Sequence, residues 1–469
     1  MTTGTFKFRQ ELCQPPSRLF FYPTMPSSLF SNLLVSSLLI VGVHTTPLPS
    51  PRAGRVIPIS RSFHHKPAIN SSSFPVFDRK PIERELKGLW PKFCHARQFF
   101  DGIGLQPGLN LDDIMSATST EAESEEPFIS PDIINTGVLQ LKDCMAGNLD
   151  MMYYGPVDFG TPSQKLTVDI DTGSADLWIP VNCSECANNQ FKDVRSSTCT
   201  NSDVKFSVSY GSGEVSGTLM QDAVSVAGLN VQDQYFGAVS QVSDEFNDLP
   251  NDGLFGMAFG TIAQSGKPTF FETLIKRNML PAPMFSVHLA RNQVKGSEVC
   301  FGCFDELKAI GPIEWVPVVS KTYWSVSMDA VAINTTDFVP TEIIAIIDTG
   351  TTLIYLPSNV ASEFYAMIPG SKPAPQFGPE FYTYPCSSKL DVALSFDGRL
   401  FSISTSDFNL GMTWSNSPDC VGGILSLDQS AGFPQNLAII GDEFLKSWYT
   451  TYDYSEGTRV GFAPSINNQ

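Results

Sequence analysis

The chain has 469 residues, 42% hydrophobic and 17% charged, with a formal net charge of -18. It is too long for one ordinary domain, apolar enough for a large core, and too acidic for a nucleic-acid partner to be expected. Its 35 glycines, 34 prolines and 34 phenylalanines suit a strand-rich, loop-rich exported protein.

In chain order, Leu29 to Val43 is an apolar stretch, shorter than the roughly 20 residues that span a bilayer as a helix. Residues 1–45 therefore read as a signal-peptide region, with Met25 as an alternative start, and no stable membrane association is expected. Residues 46–98 hold ten Lys and Arg against three Asp and Glu, whereas residues 99–469 hold 17 against 44. A basic leader ahead of an acidic body reads as a prosegment, placed at 46–135, that docks on the body of its own chain and lets go in acid.

Beyond it, most apolar runs are short and bounded by Gly, Pro, Asn or Ser, for instance Phe206 to Tyr210 and Val224 to Val231, which is the strand signal. The helical exceptions are Thr269 to Arg277 and Ser358 to Ile368. The decisive feature is Asp-Thr-Gly, present as Asp171-Thr172-Gly173-Ser174 and again as Asp348-Thr349-Gly350-Thr351, each after an apolar β-type run. Two carboxyls sharing a small space cannot both ionise easily, so one can act as acid while the other acts as base on a water between them. Gly173 and Gly350 would let the chain turn beneath the carboxylates, and the hydroxyls of Ser174 and Thr351 would orient them. Asp169 lies two residues before Asp171, so strand alternation points both to the same side. Each copy is followed at similar distance by two apolar residues and a glycine, Leu254-Phe255-Gly256 and Ile439-Ile440-Gly441.

With these paired elements the chain resembles the pepsin-like aspartic proteases of the secreted fungal or cathepsin D-like kind, from about Tyr153 to Ala463. The resemblance implies an all-β, bilobal fold, with the N-terminal lobe at 136–318, the C-terminal lobe at 319–469 and an active-site cleft between them. It implies an aspartic endopeptidase, made as a zymogen, with Asp171 and Asp348 catalytic and with no cofactor. Tyr210, Gly211 and Ser212 match the flap that closes over the substrate, and Trp178 matches the tryptophan whose ring nitrogen the flap tyrosine meets. Asp169, Gly173, Gly350 and Thr351 would line the substrate site. Protein or peptide substrates, the prosegment as intramolecular inhibitor, a monomer, and a secreted or vacuolar, lysosome-like location follow from the same likeness. The contrasting reading is a catalytically silent peptide-binding protein on the same fold.

Ten cysteines fit an oxidising compartment. The resemblance pairs Cys386 with Cys420; the pairing of Cys183, Cys186, Cys199, Cys300 and Cys303 is open, and a zinc site from the Cys-x-x-Cys pairs is the less favoured alternative. Asn182 and Asn334 begin glycosylation sequons. Four of the five histidines lie in the leader, so a Ser/His or Cys/His mechanism would rest on His288 alone, in an apolar run that reads as core strand. No metal site is expected.

Overall fold

The computed structural model describes residues 74–93, 96, 100, 135–147, 149–210, 213–334, 337–427, 433–455 and 457–469. The signal-peptide region, most of the prosegment, and flap residues Gly211 and Ser212 lie outside the described residues.

Among the described residues strands dominate, joined into one 20-stranded sheet system with a separate four-stranded sheet. Where one face meets water the alternation is clean, as in Gly137–Ala146, where Leu139 and Leu141 point inward and Val138, Gln140 and Lys142 outward. Where both faces are covered, the strand is apolar throughout, as in Ile354–Pro357 and Leu437–Ile440. The two expected helices form as Phe270–Lys276 and Ser358–Ala366. Thr269 begins the first with a reciprocal capping box to Glu272, which satisfies the orphan amides at its start. The run Val224 to Val231 is not one strand. It folds into a hairpin between Gly213–Val226 and Leu229–Val242, because Ala227 and Gly228 take positive φ (51° and 86°), the backbone twist a two-residue turn requires.

The duplicated sequence becomes a duplicated strand arrangement. In the first half, Gln164–Asp171 runs parallel to Gly253–Gly256 with Asp171 beside Gly256, and Leu177–Pro180 lies antiparallel on the other edge of that short strand. In the second, Asp337–Ile347 runs parallel to Leu437–Ile440, and Ile354–Pro357 lies antiparallel to it. Each Asp-Thr-Gly turn thus joins two strands that flank the apolar-apolar-Gly strand. The glycine ending that motif is sterically required. A Cβ on Gly256 would stand 2.5 Å from the Ala175 carbonyl carbon, and one on Gly441 would stand 2.2 Å from the Thr351 oxygen.

The two halves are also stitched together. Trp448–Asp453 pairs with Met284–His288, and Arg459–Pro464 pairs with Glu314–Lys321, so the last strands join the sheet of the first half. The division drawn at 318/319 falls inside Glu314–Lys321. Behind the cleft, Arg291 grips Asp407 through two 2.6 Å bonds and Lys446 bonds Asp150 at 2.9 Å, joining the halves through buried ion pairs.

The longest helix among the described residues, Lys80–Phe93, lies in the basic leader and was not among the expected helices. Its apolar face, with Ile82, Leu89 and Phe93 buried, packs into a cluster with Tyr323, Leu353, Phe433 and Ile439. Ahead of it, Pro75 and Phe77 pair through their backbones with Met412, and the Phe77 ring packs edge-on against Phe377 at 5.2 Å. The leader is therefore part of the folded structure.

Replacing Gly256 with Ala should lower stability by about 3 kcal/mol, the scale of overpacking in a filled interior. Gly311→Ala, whose Cβ would approach nothing closer than 3.4 Å, should stay within about 0.5 kcal/mol of the parent. Urea unfolding of the two variants beside the parent protein would check this.

Candidate active site

The two Asp-Thr-Gly turns meet face to face. Thr172 Oγ1 donates to the Ile347 carbonyl at 2.9 Å and accepts from the Thr349 amide at 2.9 Å. Thr349 Oγ1 returns both bonds, donating to the Ile170 carbonyl at 2.7 Å and accepting from the Thr172 amide at 3.1 Å. Sequence reasoning passed over these central threonines, although their recurrence in both copies was the available signal. The network brings Asp171 and Asp348 to a common point, each nearly fully buried.

Within each turn the carboxyl is oriented twice. Asp171 accepts from the Gly173 amide at 2.8 Å and the Ser174 hydroxyl at 2.6 Å; Asp348 accepts from the Gly350 amide at 2.9 Å and the Thr351 hydroxyl at 2.5 Å. Gly173 and Gly350 also leave room for the opposite carboxyl. A Cβ on Gly173 would lie 2.6 Å from the Asp348 carboxyl, and one on Gly350 would lie 2.3 Å from Asp171 Oδ1.

A lysine of the leader closes the centre. Lys92 Nζ donates to Asp171 Oδ1 at 2.9 Å, Asp348 Oδ2 at 2.8 Å and the Gly350 carbonyl at 2.9 Å, spending all three of its protons. The only sequence signal for Lys92 was the positive charge of the whole leader. Burial would discharge this amine, but the two carboxylates outweigh it and hold its pKa far above normal. Burial pushes Asp348 up to about 6 despite the ammonium. For Asp171 burial also acts upward, but Lys92 and the Ser174 hydroxyl win and hold it below the usual carboxylate range.

The other expected residues distribute around this centre. Beside the helix remains a cavity of about 410 Å³, bordered by Asp169, Asp171, Tyr210, Cys144, Met151 and Leu254. Asp169 is 8% exposed with no partner for Oδ1 among the described residues, and burial together with the charge of Asp171 raises its pKa well above normal. Tyr210 packs against Trp178 with ring centroids 6.2 Å apart. The Tyr210 hydroxyl faces Trp178 and Ser174, although neither it nor Trp178 Nε1 meets full hydrogen-bond geometry with a partner among the described residues. The two rings tilt at 40° and share a cluster with Phe246. Cys386 bonds to Cys420, Cys183 to Cys186 and Cys300 to Cys303, while Cys144 and Cys199 are free. The Cys-x-x-Cys pairs are thus disulfides, and no cluster that could hold a metal occurs among the described residues. His288 sits buried in strand Met284–His288, held near 4 by burial and hence neutral, with the Ser465 hydroxyl 3.4 Å away.

Residues 152–465 match the family model described as eukaryotic aspartyl protease. Among curated proteins, the chain is 38% identical over 324 residues to an aspartic protease of Phaffia rhodozyma, an alignment covering 68% of this chain and 77% of that protein. It is 34% identical to major aspartyl peptidase 1 of Cryptococcus neoformans var. grubii, covering 71% of each, and 33% identical to cathepsin E of Oryctolagus cuniculus, covering 68% and 81%. On the matched strands, the duplicated turns and these likenesses, the chain belongs to the eukaryotic aspartyl protease family and is a pepsin-like aspartic endopeptidase.

Proposed function

We propose that Asp171 and Asp348 are the catalytic dyad, that the chain is made as a zymogen, and that Lys92 is the latch of its prosegment. The observation that carries this reading is the three-way bond of Lys92 Nζ to both carboxyls and to the Gly350 carbonyl. An ammonium there occupies the place that a water must take for hydrolysis. Once it leaves, two adjacent carboxyls share one proton. The ionised carboxylate accepts a proton from the water, whose oxygen attacks the scissile carbonyl carbon; the protonated partner donates to the carbonyl oxygen, and the resulting diol collapses as the leaving nitrogen gains a proton. The hydroxyls of Ser174 and Thr351 keep each carboxyl aimed throughout. Tyr210 and the flap residues Gly211 and Ser212 would close over the peptide and exclude water.

The latch is pH-dependent in a definite sense. Lys92 lowers the pKa of both carboxyls, so docking is favoured where both are ionised. It weakens as pH falls, first through about 6, where Asp348 takes a proton, and further down as Asp171 follows. The prosegment would then leave and be cut. The cut fits best before residue 137, because Gly137–Ala146 is paired along its length, first with Lys295–Phe301 and then with Leu149–Phe159. Entry to the secretory pathway rests on the apolar stretch 29–43 and on the disulfides. No helix among the described residues is long and apolar enough to cross a membrane.

Asp171→Asn and Asp348→Asn should each abolish hydrolysis of a denatured protein at acid pH while leaving the far-UV spectrum unchanged. Near-parental activity in both single variants would refute the dyad.

The secreted precursor should be inactive near neutrality and convert on acidification. Lys92→Met, of similar length but uncharged, should move the midpoint of conversion upward by roughly one pH unit or more. Gel analysis of conversion across a pH series checks this; a precursor that stays intact and fully active after acid treatment contradicts the zymogen reading.

Asp169, with one free oxygen in the cavity wall, would receive Lys in a pocket otherwise suited to large apolar side chains. Profiling a peptide library with parent and Asp169→Val should show Lys-containing sites weakened selectively in the variant. Equal cleavage of those sites by both enzymes would remove Asp169 from this role.

A further inference from the structure

Seven residues before Lys92, Glu85 makes a second set of bonds in the cleft. Its Oε2 accepts from the Thr352 amide at 2.7 Å, and its Oε1 accepts from the Leu353 amide at 3.2 Å and the Tyr355 hydroxyl at 2.6 Å. Three donors therefore converge on one carboxylate. The donors lie on the segment that follows Asp348; Thr352, four residues beyond it, borders the same cavity as Asp171 and Gly350, and Leu353 and Tyr355 follow it fully buried. Tyr355 is fully buried, and its ring is fixed in the apolar cluster beneath the helix. The Thr352 hydroxyl is spent on the Met151 carbonyl at 3.1 Å, which pins the backbone that presents the two amides.

We propose that these three donors form a subsite for an acidic side chain of the substrate, and that Glu85 stands in for that side chain in the precursor. The inference rests on the endopeptidase reading and adds a substrate class to it. When the leader departs, two amides and a buried hydroxyl lose their acceptor. Their burial includes the cover of the leader helix, so its departure opens them to water, and an ionised carboxylate, with charge-assisted bonds through two oxygens, is the side chain best able to compete with water for all three. The surrounding acids do not reverse this. Burial pushes Asp442 far up, and burial first, with Glu85 and Glu380 beside it, raises the Tyr355 hydroxyl well above its ordinary value, so that it stays a donor.

The helix also measures where along a substrate the acid belongs. Seven residues at about 1.5 Å each place Glu85 roughly 10 Å from Lys92, along nearly the same helix face. An extended peptide rises about 3.3 Å per residue, so the acidic side chain falls about three residues from the cut bond.

The test uses the converted enzyme and peptides carrying Glu, Gln or Leu in turn at positions two to four residues on either side of the cut. At about pH 5.5 a glutamate side chain is ionised. At one position roughly three residues from the cut, kcat/KM should be about tenfold higher for Glu than for Gln, the scale of a charge-assisted bond. In Tyr355→Phe that ratio should fall toward one. Should this variant fail to fold, the same precursor interaction is read in Glu85→Gln, which should convert at a higher pH than the parent because its leader is held by weaker bonds. Cleavage of the set with Glu no better than Gln at every position, or a Glu preference that survives in Tyr355→Phe, would overturn the proposal while leaving the dyad standing. Failure of the parent to cut any peptide would overturn the dyad reading and this proposal with it.

Discussion

The reciprocal bonding of Thr172 and Thr349 is the constraint on which the rest of the molecule turns. Two carboxylates about 4 Å apart at an effective dielectric near 20 repel by about 4 kcal/mol. Four buried hydrogen bonds at about 0.5–1.5 kcal/mol each supply a comparable sum. The scaffold can therefore hold Asp171 and Asp348 together, but with little to spare, and the centre needs either a shared proton or a cation. The duplicated strands, the glycines beneath the turns and the crossing C-terminal strands all serve to deliver those two threonines to one place.

Lys92 supplies the cation in this structure, and under the proposed zymogen reading the way it is held accounts for a chain both locked and releasable. Most of the leader's grip comes from apolar burial at Phe77, Ile82, Leu89 and Phe93, which does not titrate. The surface pair Arg84–Asp248 at 3.3 Å, with Asp248 largely exposed, adds little. The bonds of Lys92 to the two aspartates change with protonation in the acid range, so in the proposed latch acid acts there and leaves the apolar contacts to be undone afterwards. Glu85 gives the helix a second anchor on the wall of the second half, two turns away, so that Lys92 is aimed as well as attracted.

The acidic balance of the body has a related consequence. Several carboxyls behind the cleft are buried with too few cations: Lys446 and Arg291 face Asp150, Asp407 and Glu443, and burial raises Glu443 to about 8. Asp143, also buried, is raised to about 9. Glu443 and Asp143 therefore take up protons in acid without cost to the fold, which suits the acid conditions of the proposed function.

Much was legible in the amino-acid order because it is written as local pattern, twice. An apolar run, Asp-Thr-Gly and a hydroxyl residue describe a strand and its turn wherever they occur, and their repetition with matching apolar-apolar-Gly partners specified the class of fold and the two aspartates. The tertiary structure alone decided what depends on residues distant in sequence: Lys92 meets carboxyls 79 and 256 positions away, and Glu85 meets amides 267 and 268 positions away. Helix Lys80–Phe93 was overlooked because its charged leader shows little of the core it joins until that core is assembled. The Tyr210 ring likewise takes its orientation from Trp178 and Phe246, neighbours supplied by other strands and loops. Sequence fixes which groups can react, since that is a property of each residue and its immediate turn; which charges neutralise one another is set by distances that exist only after folding.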